Sequence, residues 1–230
     1  MYLYETHCHT QKVSACSRLS AEDIVELYVK NDYAGVFITD HFLNGNTRIH
    51  SDHRNADYKE KIAAFFEGYK EVKRVAGNGL QVFFGLEYSY RGTDILVYGW
   101  NEEQLKDQEH ILKMSMKEFC VYCAEQDLLA VQAHPFREAH YIDHIRLYPE
   151  AEGVETLNSA RDERCNLLAD FYADQYGKIK TGGSDIHVKN QKILSGLAFD
   201  SKLQSERDFI SRLRQGQGTI VCRENVFAQP

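Results

Sequence analysis

Residues 4–10 of the chain read YETHCHT. The stretch begins inside an apolar, strand-like segment of residues 2–7 and continues past its end. Residues two apart in a strand point to the same side, so His7 and His9 can face one ion while Cys8 faces the opposite wall. The alternative is that both histidines are ordinary polar residues at a strand end. The interpretation of the pair therefore depends on what the rest of the chain brings to the same edge.

Strand-like runs alternate with helix-like runs along almost the whole chain. The strand candidates are residues 2–7, 34–39, 81–90, 95–100, 128–134, 153–157 and 178–183, with weaker ones at 195–199 and 218–222. The helix candidates are residues 20–31, 57–76, 113–126, 161–176 and 204–215, and Ser20 is the predicted N-cap of the first. This alternation favours a parallel sheet covered on both faces, and seven or more such units favour a barrel. One domain over residues 1–230 is expected.

Composition limits the classes of protein to consider. The 43% of apolar residues is enough for a sizeable core, and no apolar run approaches the roughly 20 residues that span a bilayer. The six cysteines do not form a dense disulfide framework, and Cys120 and Cys123 follow the spacing of a buried helix face. A soluble cytoplasmic protein with no membrane partner is expected.

Further candidate ligands follow or lie in other predicted strands: Asp40 and His41, Glu87, His134, and Asp185 and His187. In α/β barrels the carboxyl ends of the strands form the rim where active sites are assembled. Imidazoles and carboxylates without an evident thiolate suit Zn, Mn or Fe. A carboxylate such as Glu87 can bridge ions about 3.5–4 Å apart. The sequence therefore predicts a hydrolytic centre with more than one metal ion.

The motifs and their order resemble those of the PHP family, named for polymerase and histidinol phosphatase. They are HxH near the N-terminus, TDH after the second strand, the glutamate of GLEYSY, then AHPF, GVETLN and GGSDIH. The resemblance covers nearly the whole chain. It implies an α/β fold with a distorted (β/α)7 TIM-like barrel, two or three divalent metal ions at its mouth, and hydrolysis of phosphate esters.

The resemblance also implies how the ligands are shared among the ions. One ion would take His7, His9, Glu87 and Asp185, a second would share Glu87 and add His134, and a third would take His41 and His187. The chain departs from the family pattern in two places, which affect the second and third ions.

The first departure lies in the loop after HxH, where family members often have a histidine or aspartate. Here the segment QKVSACSRLS offers Ser14 or Cys16 instead. The second lies near the fourth strand, where some members supply a histidine and this chain has Asp94. Asp94 is interpreted as a ligand, as an anchor for water, or as a turn residue, the last being common for an aspartate before a strand.

Two other residues are predicted to serve catalysis. Asp40 is expected to lie behind a metal ligand and to orient a neighbouring imidazole. Arg137 is the preferred candidate for gripping phosphate oxygens, ahead of Arg161 and Arg18, because a guanidinium offers a planar pair of donors. The alternative for each of these arginines is a solvent-exposed side chain on a loop, which is more common. Asn158 could point into the mouth or cap the next helix.

The remaining histidines are expected to lie outside the site. His50 and His53 fall in a polar segment, which indicates a solvated loop, and His110, His140 and His144 follow no predicted strand end.

The predicted activity is metal-dependent hydrolysis of a small phosphomonoester by a hydroxide that bridges metal ions. Two alternatives stay open: a nuclease or cyclic phosphodiesterase, and a metal-binding regulatory domain without catalysis. A net charge of −7 and the lack of a basic stripe with interleaved aromatics favour a small phosphorylated substrate over nucleic acid.

Overall fold

The structure, a computed structural model, describes residues 1–228. A nine-stranded sheet with the order β7-β6-β5-β4-β3-β2-β1-β8-β9 runs through it. The strands are β1 (Tyr2–Cys8), β2 (Gly35–Ile38), β3 (Gln81–Tyr90), β4 (Thr93–Tyr98), β5 (Leu129–Ala133), β6 (Gly153–Asn158), β7 (Ile179–Gly183), β8 (Ile193–Phe199) and β9 (Thr219–Glu224).

The sheet curls into a nearly closed barrel. The chain just after β7 returns to β1, where Ile186 forms a parallel bridge with Cys8. Strands β1 to β3 pair in parallel, and so do β5 to β7. The α/β barrel prediction is therefore confirmed, and the carboxyl ends of the parallel strands share one rim.

The expectation of parallel strands is wrong at β4, which runs antiparallel to both β3 and β5. The cause is the connection between β3 and β4, which is only Arg91 and Gly92. Both residues have positive φ angles, 51° and 81°, as a two-residue hairpin turn requires. Such a turn reverses the chain, whereas a parallel connection needs a crossover of a dozen residues or more. Strand β8 is likewise antiparallel to β1, and β9 to β8.

Helices cover the outside of the barrel. They are α1 (Ala21–Lys30), α2 (Ile49–Asp52), α3 (Tyr58–Phe65), α4 (Glu67–Ala76), α5 (Glu102–Leu105), α6 (Met116–Glu125), α7 (Glu163–Tyr176) and α8 (Glu206–Arg214). Ser20 caps α1 by accepting a hydrogen bond from the Asp23 amide, as predicted. The single helix predicted over residues 57–76 is divided at Phe66 into α3 and α4.

Packing of the helices explains the cysteine pair of α6. Cys120 and Cys123 are buried, free thiols in the apolar cluster that holds α6 against β3 and β4. Their interpretation as core residues is confirmed. Among residues 1–228, no helix combines the length and the apolar character that a membrane span demands.

Candidate metal centre

All seven candidate ligands lie together at one rim of the barrel, with Glu87 of β3 at their centre. Glu87 Oε1 lies 3.4 Å from His7 Nε2 and 3.4 Å from His134 Nε2. Glu87 Oε2 lies 3.4 Å from His9 Nε2 and 2.7 Å from His41 Nδ1. The two oxygens of one carboxylate thus face two different pairs of imidazoles.

Asp185 lies close to three of the same imidazoles. Its Oδ1 lies 3.5 Å from His7 Nε2 and 3.4 Å from His9 Nε2, and its Oδ2 lies 3.8 Å from His134 Nε2. Four overlapping triads have ligand atoms within 4.8 Å of one another: His7, His9 and Glu87; His7, His134 and Asp185; Glu87, Asp94 and His134; and His9, His41 and His187. The arrangement offers adjacent positions for more than one cation.

Three of these atoms are buried without hydrogen-bond partners among the described residues: His7 Nε2, His9 Nε2 and Glu87 Oε1. His41 Nδ1 and Glu87 Oε2 are also buried, and they face each other at 2.7 Å. A buried polar group without a partner costs roughly 1–3 kcal/mol. Buried nitrogen and oxygen atoms that converge in this way require a common partner. A divalent cation that binds imidazole and carboxylate ligands can be that partner. The residues therefore fit divalent metal ions of the zinc, manganese or iron type.

Backbone strain marks two of the candidate ligands. His134 has a φ angle of 29° and Asp185 one of 49°, in the left-handed region that residues with a side chain seldom adopt. Such conformations cost about 1–3 kcal/mol each and persist where the surroundings fix them, often at functional sites. His134 directly follows the carboxyl end of β5, and Asp185 lies two residues after the carboxyl end of β7.

Glu155 of β6 orients two of the ligands. Its Oε1 accepts a hydrogen bond of 2.9 Å from His7 Nδ1, and its Oε2 accepts from the His134 amide at 3.1 Å and from Asn158 Nδ2 at 2.8 Å. Because Nδ1 of His7 carries the proton, Nε2 presents its lone pair to the centre. Sequence reasoning assigned no role to Glu155. The available signal was an acidic residue in the predicted strand of the segment GVETLN.

Asp40 acts on the centre through Ser14. Its carboxylate accepts hydrogen bonds from the Thr10 amide at 2.7 Å, the Thr10 hydroxyl at 2.7 Å and the Ser14 hydroxyl at 2.6 Å. Ser14 Oγ in turn accepts from His9 Nδ1 at 3.2 Å and from the His41 amide at 3.0 Å. Asp40 therefore lies behind His9, with one hydroxyl between them. Burial raises the pKa of the Asp40 carboxyl to about 6, although the surrounding donors lower it.

The charges of the centre depend on its imidazoles. Burial alone would raise the pKa of the Glu87 carboxyl, but His41 and His7 hold it well below its ordinary range. His7 similarly keeps the pKa of the Asp185 carboxyl low against the effect of burial. Burial lowers the pKa of His9 to about 3, which keeps that imidazole neutral, the form that binds metal.

Two arginines hold acidic residues of the mouth. Arg137 donates from one terminal nitrogen to Asp94 Oδ2 at 2.7 Å and to the Gly92 carbonyl at 3.1 Å. Arg161 donates to Asp185 Oδ2 at 2.6 Å. Asp94 is buried within β4 and lies 3.9 Å from His134 Nε2, so its interpretation as a turn residue is wrong.

Cys16 lies in the loop between β1 and α1, and its Sγ is 3.1 Å from His187 Nε2. Desolvation would raise the pKa of its thiol, but His187 and His41 lower it to about 7. The other nitrogen of that ring, Nδ1 of His187, donates to the Asp185 carbonyl at 2.7 Å.

A cavity of about 510 Å³ opens above the centre. Its walls include Glu87, Asp94 and Asp185, and three arginines, Arg91, Arg137 and Arg161. Arg91 was not singled out from the sequence, and its place in the tight turn after β3 was the available signal. Arg18 is exposed and does not line this cavity.

The other histidines lie outside the centre, as expected. His50, His53, His110, His140 and His144 are exposed and belong to none of the four triads. Asn158 does not cap α7, because Asp162 accepts the capping hydrogen bond from the Cys165 amide. Asn158 instead donates to Glu155 and, at 3.4 Å, to Asp185.

Comparison with known proteins gives similarity in structure alone. No family model matches the sequence, and a search of the curated proteins found no match. The crystal structure of PsfC from Pseudomonas syringae PB-5123 superposes with a TM-score of 0.65 and 15% sequence identity, over 98% of this chain and 93% of that one. At this identity the likeness shows a shared fold.

Two further solved structures are more distant. One is a proposed metal-dependent phosphoesterase from Bifidobacterium adolescentis, with a TM-score of 0.49, 14% identity, and coverage of 81% of this chain and 88% of that one. The other is an amidohydrolase from Chromobacterium violaceum with bound sulfate and no metal, with a TM-score of 0.48, 12% identity, and coverage of 80% and 87%.

Proposed function

We propose that this chain is a metal-dependent phosphoesterase of the PHP type that hydrolyses a small phosphomonoester. The observation that carries the proposal is the Glu87 carboxylate, whose two buried oxygens lie 2.7–3.4 Å from the nitrogens of four imidazoles. The residues that would hold two or three ions of Zn, Mn or Fe are His7, His9, His41, Glu87, His134, Asp185 and His187. When bound, such ions lower the pKa of water and neutralise charge on a phosphate.

The charge of the cavity supports an anionic substrate. Its walls carry three arginines and three carboxylates, so their formal charges balance. Any bound divalent cation would therefore leave the mouth positive, which suits a phosphate group. This local sign is independent of the net charge of −7 over the whole molecule.

Arg137 would position the substrate phosphate. Its guanidinium lines the cavity, and Asp94 together with the Gly92 carbonyl fixes its plane, leaving further donors for phosphate oxygens. Arg161, tied to Asp185, lines the same cavity and would add a second positive group.

The cavity volume of about 510 Å³ supports a small substrate, since it lies within the range of small-molecule sites. A nuclease would need an extended groove with aromatic stacking surfaces. A small cyclic phosphodiester is the other substrate class to test.

The proposal is tested by comparing hydrolysis of p-nitrophenyl phosphate, its bis-ester and an oligonucleotide after loading with Zn, Mn or Fe(II). Monoester turnover is expected, and His134→Ala should abolish it because His134 is a shared neighbour of Glu87 and Asp185. His110→Ala, at an exposed histidine in the turn before α6, is the matched control. Full activity in His134→Ala, or cleavage of diesters without monoester turnover, would contradict the proposal.

A further inference from the structure

We infer that Cys16 is a metal ligand, and that its thiolate joins His41 and His187 in a mixed nitrogen and sulfur position beside the Glu87 centre. The inference rests on the proposed metal centre and adds a sulfur ligand to it. It concerns the place where the chain departs from the PHP pattern.

The first support is the geometry of the thiol. Cys16 Sγ lies 3.1 Å from His187 Nε2, and Cys16 lines the same cavity as His41 and His187. The Nδ1 proton of His187 is committed to the Asp185 carbonyl, so Nε2 presents a lone pair towards the sulfur. Two potential ligand atoms therefore converge, and a cation that replaces the thiol proton would bind both.

The second support is independent of the cysteine. The ring of His9 stacks on those of His41 and His187, with 4.6 Å between centroids in each pair, and ligand atoms of the three lie within 4.8 Å of one another. His9 Nε2 is buried and has no hydrogen-bond partner in the described residues. The ligand atoms of His9 and His41 thus lie beside those of His187, whose Nε2 the Cys16 sulfur contacts.

Ser14, the other candidate in this loop, is excluded as a ligand by its hydrogen bonds. Its hydroxyl proton goes to Asp40, and its oxygen accepts from His9 Nδ1 and from the His41 amide. A hydroxyl has one donor and two acceptor sites, so none remains for a cation. Ser14 positions two ligands, whereas Cys16 supplies one.

A sulfur ligand at Cys16 would make this position selective for particular metals. Thiolate is a soft ligand that favours zinc and disfavours magnesium and manganese, which prefer oxygen. The position with Cys16 should therefore select zinc, or cobalt as its spectroscopic substitute, while the positions around Glu87 and Asp185 accept harder ions as well.

The decisive experiment uses cobalt(II), since a cobalt–thiolate bond gives a charge-transfer band in the near ultraviolet. Wild-type protein and Cys222→Ser, at an exposed cysteine, should show the band after loading. Cys16→Ser and Cys16→His should lack it, with circular dichroism confirming that both are folded. Persistence of the band in Cys16→Ser, or its absence from cobalt-loaded wild type, would overturn the inference.

Zinc content gives a second readout that does not depend on turnover. After dialysis, Cys16→Ser should hold one zinc ion fewer per chain than wild type, and Cys16→His should hold as many as wild type because imidazole is also a zinc ligand. Equal zinc content in wild type and Cys16→Ser would count against a sulfur ligand.

Thiol labelling separates failure of the inference from failure of the proposed function. Iodoacetamide should modify both Cys16 and Cys222 in chelator-treated protein, and zinc should protect Cys16 alone. Unchanged labelling of Cys16 in protein that binds zinc and hydrolyses the monoester would overturn only the sulfur ligand. A protein that binds no zinc at all would overturn both proposals.

Discussion

The Glu155 carboxylate binds three donors, two from neighbouring segments and one from its own strand, and this fixes His7 and the start of the loop after β5. The donors are His7 Nδ1, the His134 amide and Asn158 Nδ2, and they occupy both oxygens. A carboxylate accepts at every lone pair, whereas an amide side chain must turn its NH2 group towards one of these donors. The charge and symmetry of Glu155 therefore matter as well as its size.

We expect Glu155→Gln to weaken metal binding by about 10–100-fold, the usual effect of removing a carboxylate that orients a ligating histidine. The measurement is a competition titration of zinc against a chromophoric chelator. Glu125→Gln, at an exposed glutamate at the end of α6, is the control. An unchanged zinc affinity in Glu155→Gln would show that His7 needs no such partner.

Arg137 offers a test of how the substrate phosphate is held. In Arg137→Lys the positive charge stays, but one ammonium group cannot keep the contacts with Asp94 and the Gly92 carbonyl and also grip phosphate. Loss of one hydrogen bond between charged groups is worth about 1.5–3 kcal/mol. We expect kcat/KM for p-nitrophenyl phosphate to fall roughly 10–100-fold.

The control for Arg137→Lys is Arg18→Lys, since Arg18 is exposed and lies outside the cavity. Steady-state kinetics at fixed zinc concentration measure both variants. If Arg18→Lys were the more damaging substitution, Arg137 would not be the phosphate-binding arginine.

At the scale of strands and helices, the sequence predicts positions well and directions less well. The alternation of apolar runs located β1 to β7, and the carboxyl ends of three predicted strands pointed to His41, His134 and Asp185. The two-residue turn at Arg91 and Gly92 sets the direction of β4, and the expectation that every strand belongs to a parallel repeat gave the wrong direction. Because β4 is antiparallel, Asp94 at its amino-terminal end lies near His134, and of the three roles left open for it only the turn residue is excluded.

Contacts between distant segments could not be predicted from local patterns. Ser14 connects Asp40 to His9, and Glu155 meets His7 although 148 residues separate them in the chain. Periodicity shows which face of a strand is buried, but not which side chain of another strand lies opposite. The convergence of the candidate ligands was therefore predictable from their own positions, whereas the residues that orient them were not.

Close packing of β7 on β1 gives a prediction at this scale. A Cβ atom added at Gly183 would lie 2.5 Å from His7 Cβ and 2.8 Å from Glu155 Oε1. Gly183→Ala must therefore push β7 away from His7 and Glu155. We expect a loss of about 1–3 kcal/mol of unfolding free energy, the usual cost of overpacking, together with weaker zinc binding.

Thermal unfolding followed by circular dichroism measures this effect. In a chain of this size, 1 kcal/mol corresponds to roughly 2–4 °C in Tm. Gly79→Ala is the matched control, because the nearest atom to an added Cβ there is the Ala76 carbonyl oxygen at an ordinary 3.4 Å. Equal Tm values for the two variants would mean that β7 moves without strain.

On the scale of the whole molecule, the proposed metal centre joins parts of the chain that are far apart in sequence. His9 follows the first strand, Glu87 lies in the third, and His187 follows the seventh. A cation bound by all three regions would cross-link the barrel, and it would bind the folded state far better than the unfolded chain. Metal binding should therefore appear as global stability and not only as activity.

We expect removal of metal to lower Tm and zinc to restore it. Zinc at a hundred times its Kd stabilises by about 2.7 kcal/mol for each site, which corresponds to roughly 5–11 °C in Tm for a chain of this length. The measurement is calorimetric unfolding of chelator-treated protein with zinc added back. His134→Ala should show a smaller shift because it removes a neighbour of Glu87, and His110→Ala should keep the full one. A Tm that does not change with zinc would mean that the buried imidazoles and carboxylates are balanced by one another and hold no ion.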